Sequence, residues 1–127
     1  MTYEFDPSAA TSPSRQLVEA ILDGIAAGTL APGEKLLSVR GLAAEALVNP
    51  NTAARCYRDL EALGAVEGRN GRGVFVTPEG PAIARRLRFE STLEEFRRAA
   101  RAAHRAGHDP SALLAWIDSL TSQEVER

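Results

Sequence analysis

A chain of 127 residues has room for one domain of ordinary size, or for one small domain with a short appendage. Its 44% of hydrophobic and 25% of charged residues exclude a disordered chain, and only 6% aromatic residues favour a helical core. The single cysteine, Cys56, excludes an intramolecular disulfide and a multi-cysteine metal site. No leader pattern and no apolar run of about 18 residues is present, which predicts a cytoplasmic protein that does not enter a membrane.

The charge is unevenly distributed along the chain. The net charge is −2, but residues 1–34 carry a net −4, whereas residues 35–76 carry six basic and four acidic residues. Residues 81–107 carry seven arginines and three glutamates. Because the middle is basic and the total is slightly acidic, we expect non-specific DNA affinity that is modest and strongly salt-dependent.

The first half of the chain predicts an N-terminal arm at residues 1–11 and then a helix. Ser12 is the expected N-cap, with Pro13 at the first helical position, and Gly28 is the expected end of this helix. An apolar stripe at helical spacing includes Leu17, Ile21 and Ile25.

Two shorter helices are predicted next. Ser38 caps a second helix that reaches Ala46, and Asn49-Pro50 opens a third helix that ends at Gly64. Asn49 fits an N-cap and a DNA contact equally well. The inward side chains expected on the third helix are Ala53, Tyr57, Leu60 and Leu63. Since Cys56 and Tyr57 are neighbours, we expect only one of them, Tyr57, to point inward.

A hairpin follows the third helix. Residues 65–67 and 73–76 are predicted strands, and residues 68–72 form the loop between them, with the glycines that a hairpin turn needs.

The last part of the chain predicts two helices. After a break at residues 78–81, apolar residues from Phe89 to Ala103 are spaced four, three, four and three positions apart. This spacing predicts a helix with an apolar seam, a narrow stripe on which another helix can pack. Gly107 ends this helix, and Asp109-Pro110 starts the last one. If nothing covered these helices, they would expose an apolar stripe that is too large for a monomeric protein. We therefore predict a homodimer interface there. Its predicted residues are Phe89, Leu93, Phe96, Leu113, Trp116, Ile117 and Leu120.

Three helices followed by a two-stranded hairpin is the order of a winged helix-turn-helix. We therefore predict a mostly α fold, with a DNA-binding domain at residues 12–77 and a helical dimerisation region at residues 78–127. In such a domain the second helix of the turn motif enters the major groove and the hairpin, or wing, touches the backbone or the minor groove. On pattern alone, a small helical domain whose outward Arg and Asn side chains are merely solvated is equally consistent.

Four segments between residues 30 and 76 resemble the GntR family of bacterial transcription regulators. They are LAPGEKLLSVR at 30–40, VNPNT at 48–52, RDLEALG at 58–64 and GRGVFV at 71–76. The resemblance covers about 65 residues, and the VNPNT form with a tail of about fifty residues is similar to the YtrA-like subfamily. Larger members carry a ligand-sensing domain for which this chain has no room.

The resemblance implies a homodimeric repressor of its own operon, in that subfamily often one for an ABC transporter, bound to double-stranded operator DNA with a palindromic sequence. It implies no cofactor and leaves a small-molecule effector unassigned. The chain departs from the family pattern at Leu37 and Gly41, and at Ala46-Leu47, where the family often shows Leu-Gly. If Leu47 adopts a positive φ in the turn, the strain costs roughly 1 kcal/mol.

The predicted DNA contacts lie in the two helices of the turn motif and in the wing. The resemblance implies a phosphate or base contact for Arg40. The first turns of the third helix are suited to base edges, with Arg to guanine and Asn to adenine, while Arg58 is suited to phosphate. The full predicted set is Ser38, Arg40, Asn49, Asn51, Thr52, Arg55, Arg58, Arg69, Asn70, Arg72 and Gly73.

Other interpretations remain open. The seven arginines between residues 85 and 105 form either a second nucleic-acid face or, more commonly, a solvated helix face. His104 and His108 are spaced as a metal pair, but only Asp109 is nearby and Gly107 interrupts the helix, so no metal site is predicted. No nucleophile has an activating base and no loop fits a nucleotide, so we predict no enzyme and no catalytic residue. Besides the operator-binding dimer, a winged-helix protein-interaction module and a metal- or ligand-triggered switch remain alternatives.

Overall fold

The computed structural model describes residues 11–125, and the predicted order of elements is confirmed there. The helices are α1 (Pro13–Ala27), α2 (Val39–Ala46), α3 (Pro50–Ala62), α4 (Gly80–Arg105) and α5 (Pro110–Val125), and the strands are β1 (Val66–Arg69) and β2 (Gly73–Val76). The predicted arm at residues 1–11 lies outside the described residues except for Thr11. The chain forms two compact units, which meet in sequence between Phe89 and Glu90.

Side-chain caps define the helix starts as predicted. The Ser12 Oγ accepts from the Arg15 amide at 3.3 Å, and the Asn49 Oδ1 accepts from the Asn51 amide at 2.8 Å. At the start of α5, the Asp109 Oδ1 accepts from the Ser111 amide at 3.0 Å. Each cap satisfies an amide that has no partner inside its helix, so the local sequence sets where these three helices begin.

The core of the first unit lies between α1, α2, α3 and the inner face of the hairpin. The Tyr57 hydroxyl donates to the Leu37 carbonyl at 2.6 Å, which ties α3 to the segment before α2. The fully buried large side chains are Val18, Ile21, Leu22, Ile25, Leu42, Cys56, Leu60, Val66 and Val76.

Two predictions about the inward face of α3 were wrong. Cys56 and Tyr57 are both buried, because α1 and α2 both pack on α3 and its buried arc is wide enough for two consecutive residues. Leu63, predicted to face inward, is 37% exposed because the helix has already ended at Ala62. Ala53 and Leu60 are buried as predicted.

The hairpin differs from its prediction only in the first strand. β1 begins one residue later than predicted and extends to Arg69, so Gly68 belongs to the strand and pairs with Val74. The reason is that β2 offers four residues for pairing and the turn needs only residues 70–72. Gly71 lies in this turn with φ +71°, and the Arg72 amide donates to the Arg69 carbonyl at 2.9 Å.

The start of α4 is joined closely to the hairpin. The Thr77 hydroxyl donates to the Gly64 carbonyl at 2.7 Å. Gly80 is buried, and a Cβ at that position would lie 2.9 Å from the Ala65 carbonyl oxygen. A glycine is therefore required for this close approach between the first turn of α4 and Ala65, the residue before β1.

Arg88 connects α4 to α1 within the first unit. Its guanidinium pairs through Nε with the Asp23 carboxylate and lies 3.9 Å from a carboxylate oxygen of Glu19. Ala84, one turn earlier, is completely buried. The interpretation of all seven arginines as a single solvated or DNA-facing surface is therefore wrong for Arg88, because two acidic side chains of α1 hold it.

The second unit consists of the rest of α4 and α5. Gly107, with φ +96°, ends α4 as predicted. An apolar cavity of about 240 Å³ lies within this unit, and it is lined by Phe96, Ala99, Ala100, Ala103, Leu113, Trp116 and Ile117. Between residues 11 and 125 no helix is both long and apolar enough to cross a membrane.

Candidate nucleic-acid interface

One face of α3 presents a polar stripe. Asn51, Arg55 and Arg58 are exposed and are spaced i, i+4 and i+7, which places them on one side of the helix. The buried residues Ala53 and Leu60 lie on the opposite side. The stripe is thus rigidly backed by the core, while its amide and guanidinium groups are available to a ligand outside the protein.

The turn between α2 and α3 contains a strained residue, Leu47. Leu47 has φ +56° and ψ +47°, and it is the one non-glycine residue with positive φ among residues 11–125. Its amide and that of Val48 both donate to the Ala43 carbonyl, so the left-handed turn caps α2. The leucine side chain is 90% exposed, which means that no packing compensates the strain. The condition that the sequence left open at Leu47, a positive φ, is therefore met.

The start of α2 lies beside this turn in sequence and is also capped. The Ser38 Oγ accepts from the Gly41 amide at 3.0 Å, and a Cβ at Gly41 would lie 3.1 Å from that same oxygen. Arg40 is exposed in the first turn. Ser38 therefore has a demonstrated structural role as N-cap, and Arg40 presents its charge to solvent at the amino end of α2. Asn49 likewise caps α3, while its side chain remains exposed.

The wing presents a second set of polar groups. Arg69 donates from Nε and Nη2 to one carboxylate oxygen of Glu67, at 3.1 and 2.8 Å, and its guanidinium lies 4.6 Å from the centre of the Phe75 ring. Asn70 and Arg72 are exposed in the turn. Arg69 is therefore held in place and partly neutralised, whereas Arg72 extends from the tip.

The segment before α2 adds a third strand-like edge to the wing, which the sequence interpretation missed. Leu36 donates its amide to the Val74 carbonyl at 2.8 Å, and Lys35 forms an isolated bridge with Phe75. Gly73 has φ +117°, and a Cβ there would lie 2.8 Å from the Lys35 Cε. The Lys35 side chain thus runs across Gly73. The signal available in the sequence was short: a charged residue, Lys35, followed by an apolar one, Leu36.

The thiol of Cys56 is buried on the core side of α3, away from the polar stripe, and it is mostly protonated. Burial raises the pKa of Cys56 from its ordinary value near 9.0 to about 12, and the nearby charge of Asp59 acts in the same direction. A thiol with this pKa stays protonated at neutral pH, and the thiolate is the reactive form. Cys56 is therefore a core residue.

The predicted dimer residues fall into two groups. Phe89 at the end of the first unit is 71% exposed, and Leu93, Phe96, Trp116 and Leu120 are also exposed. Leu113 and Ile117 are half-buried and line the cavity with α4. Leu114, which the seam pattern did not include, is 64% exposed and adds to the uncovered apolar surface of α5.

The histidine pair does not share a helix. His104 lies in the last turn of α4, and His108 follows Gly107, where the chain reverses. The part of the chain that the structure describes contains no group of three or more His, Cys, Asp or Glu residues arranged to hold a metal ion.

Comparison with known proteins agrees with this geometry. Residues 13–76 match the model of the family described as bacterial regulatory proteins, gntR family. The chain is 29% identical over 119 residues to the HTH-type transcriptional repressor YtrA of Bacillus subtilis, covering 94% of this chain and 92% of that protein.

Solved structures share the whole architecture. A GntR family transcriptional regulator from Listeria monocytogenes aligns with a TM-score of 0.75 and 30% identity, over 91% of this chain and 98% of that one. The fold is also shared with BusR of S. agalactiae, with a TM-score of 0.57 and 22% identity, over 90% of this chain and 57% of that one. The mostly α winged-helix fold followed by C-terminal helices is thereby confirmed. Matched by the family model over half its length, the chain belongs to the GntR family of transcriptional regulators and carries that family's DNA-binding domain.

Proposed function

We propose that this regulator is a homodimeric repressor of its own operon that binds a palindromic operator. The observation that carries the proposal is the stripe of Asn51, Arg55 and Arg58 on α3, exposed on the side opposite the core. A helix of this kind fits the major groove, where its first turns face base edges.

The polar groups divide by the DNA chemistry that suits them. Asn51, Thr52 and Arg55 occupy the first two turns of α3 and are assigned to base edges, where each good bidentate pair contributes about 1–3 kcal/mol of discrimination. Charged and capping groups elsewhere are assigned to phosphates or to the minor groove, which fix the register of the protein on the duplex. They are Ser38, Asn49, Arg58, Arg69, Asn70, Arg72 and Gly73, while Arg40 is assigned to a phosphate or a base edge.

Dimerisation through α4 and α5 is proposed because of the uncovered apolar side chains there. Trp116 is 63% exposed, and Phe89, Phe96 and Leu114 each expose half or more of their surface. Monomeric proteins rarely leave such a patch in water, and closed twofold pairing is the commonest way to cover one. A twofold dimer offers two recognition helices to DNA, which requires an operator with matching twofold symmetry.

The names of two similar proteins support the proposal. YtrA of Bacillus subtilis is a transcriptional repressor, and it matches nearly the full length of this chain. The BusR structure contains that protein in complex with its busAB promoter DNA. These observations support DNA binding and repression as the activities to test first.

The decisive experiment is a binding titration against a duplex from the promoter directly upstream of the gene, with random DNA as competitor. The Arg55→Ala variant is compared with wild type and with Arg98→Ala, which removes an equal charge from the exposed surface of α4. We expect tight wild-type binding that survives competitor, a roughly 5- to 150-fold loss for Arg55→Ala, corresponding to about 1–3 kcal/mol, and little change for Arg98→Ala.

Two further results would decide between the remaining functions. Equal, weak binding of all three proteins to any DNA would contradict the operator-reading proposal and favour a protein-interaction module. An increase in affinity only after addition of Zn²⁺ or Ni²⁺ would favour a metal-triggered switch. Binding to single half-sites as tightly as to a palindrome would contradict the dimeric part of the proposal.

A further inference from the structure

We propose that Lys35 is a phosphate-binding residue of the wing, beside Arg69, whose charge Glu67 already offsets in part. The inference rests on the proposed DNA binding and assigns a residue that neither the sequence pattern nor the family match singled out. Four observations support it: the backbone pairing of Lys35, the path of its side chain, the absence of a carboxylate partner for it among residues 11–125, and the two hydrogen bonds from Arg69 to Glu67.

The backbone of Lys35 belongs to the wing sheet. The Gly33 amide donates to the Val76 carbonyl at 2.8 Å, the Val76 amide donates to the Glu34 carbonyl at 3.0 Å, and the Leu36 amide donates to the Val74 carbonyl at 2.8 Å. This segment therefore pairs with β2 along the edge that β1 does not use. The position of Lys35 is therefore set by main-chain hydrogen bonds to β2.

The pairing determines which face of the sheet Lys35 occupies. Lys35 is paired with Phe75, and Phe75 is paired with Glu67 in β1, so the three side chains form one row on one face. Leu36 is buried on the opposite face, against the core. Lys35 thus extends from the outer surface of the wing, the same surface on which Arg69 stacks on Phe75.

The side chain of Lys35 is directed along the wing by Gly73. A Cβ at Gly73 would lie 2.8 Å from the Lys35 Cε and 3.8 Å from its Cγ and Cδ. The aliphatic stem therefore passes over the glycine, which is paired with Arg69 at the last position before the turn. The Lys35 side chain thus extends towards the turn at residues 70–72, which forms the tip of the wing.

The charges on this surface distinguish Lys35 from Arg69. Glu67 accepts two hydrogen bonds from Arg69, at 2.8 and 3.1 Å, and so offsets its charge. Within residues 11–125 no carboxylate forms an ion pair with Lys35. Lys35 is therefore a cation on the outer face of the sheet with no carboxylate partner among residues 11–125, and a compact ammonium with three donors is well suited to a backbone phosphate.

Lys35 is the only lysine in the sequence, which permits a direct test. The full chain is treated with an amine-acetylating reagent, alone and in complex with the promoter duplex, and acetylation of the Lys35 peptide is followed by mass spectrometry. The amino terminus, which lies on a different peptide, serves as internal standard. We expect the duplex to slow acetylation of Lys35 several-fold relative to random DNA at the same concentration. An unchanged rate in the specific complex would overturn the proposal.

A second measurement tests the energetic contribution. The salt dependence of promoter binding is measured for wild type, Lys35→Gln, Lys35→Arg and Arg98→Gln. Loss of one phosphate contact lowers the slope of log K against log salt by about 0.9, or about 1.8 for two protomers. We expect that decrease for Lys35→Gln alone, while Lys35→Arg keeps the wild-type slope. Equal decreases in Lys35→Gln and Arg98→Gln would mean that only the total charge matters, and would overturn the proposal.

Including Arg55→Ala separates this inference from the function on which it rests. Specific binding that is lost in Arg55→Ala but keeps its full slope in Lys35→Gln would overturn the role of Lys35 alone. Wild-type binding that does not discriminate the promoter from random DNA would overturn the proposed function, and the role of Lys35 with it. Circular dichroism of Lys35→Gln establishes that the wing variant is folded.

Discussion

The two units of this regulator use apolar residues in opposite ways. In the first unit the apolar residues of α1 to α3 and the hairpin bury one another, and Val18, Ile25, Leu42 and Leu60 have no exposed surface. In the second unit the large apolar side chains remain in contact with solvent, and Trp116 exposes 63% of its surface. A core that is already closed stabilises its own fold, whereas an open apolar surface gains free energy only when something covers it. The first unit therefore has a closed core of its own, whereas the second unit leaves apolar surface that the proposed dimerisation would cover.

The largest expected effect is on the free energy of unfolding. A leucine-to-alanine substitution in each unit tests the comparison directly. Leu60→Ala removes a fully buried side chain and should lower the free energy of unfolding by about 2–5 kcal/mol at every protein concentration. Leu114→Ala removes a side chain that is 64% exposed, so it should lower stability only at concentrations at which the protein dimerises. Thermal unfolding at several protein concentrations measures both. A concentration-independent loss of similar size in the two variants would contradict the distinction.

The next effect concerns association itself. Trp116→Ala should weaken dimerisation by about 2 kcal/mol, or roughly 30-fold in Kd, because large aromatic side chains dominate most interfaces. Analytical ultracentrifugation measures the change, with Arg98→Ala as a charge-changing control on the exposed surface of α4. A wild-type protein that stays monomeric at high concentration would remove the reason for an apolar second unit.

The junction between hairpin and α4 tests how tightly the first unit is closed. Gly80→Ala places a Cβ 2.9 Å from the Ala65 carbonyl oxygen and 3.0 Å from a methyl group of Val76. Because the obstacle includes main chain, α4 must shift, and we expect a loss of about 1–3 kcal/mol in chemical denaturation. Glu79→Ala, at the adjacent exposed position, is the control and should change little. Equal stabilities would show that the junction is loose.

The smallest expected effect is an increase in stability rather than a loss. Leu47→Gly relieves the positive φ of an exposed residue, and it should stabilise the protein by up to about 1 kcal/mol after the extra freedom of glycine in the unfolded chain is included. Ala44→Gly, in the exposed interior of α2, should instead destabilise it by about 1 kcal/mol. Destabilisation by Leu47→Gly would mean that the leucine makes contacts that its exposure does not indicate.

Several features followed from the sequence because their causes are local. Ser12, Asn49 and Asp109 cap helices through atoms two or three residues away, and Gly107 ends α4 through its own backbone freedom. The strain at Leu47 could be raised as a condition for the same reason, since the family's usual glycine is replaced at a position where the chain turns. The polar stripe on α3 follows from helical periodicity alone.

Other features depended on residues that are distant in sequence. Cys56 and Tyr57 are both buried because two helices pack on α3, and the length of β1 depends on how many residues β2 offers for pairing. Arg88 binds to acidic groups 65 residues earlier, at Asp23. Lys35 became part of the wing only when its segment paired with β2. The sequence by itself thus determined which elements form, where the capped helices begin and the polar stripe on α3, because short-range hydrogen bonding and periodicity govern them. Only the tertiary structure decided which charges are already neutralised and which remain available to DNA, because ion pairs and sheet edges form between segments whose meeting the local pattern does not encode.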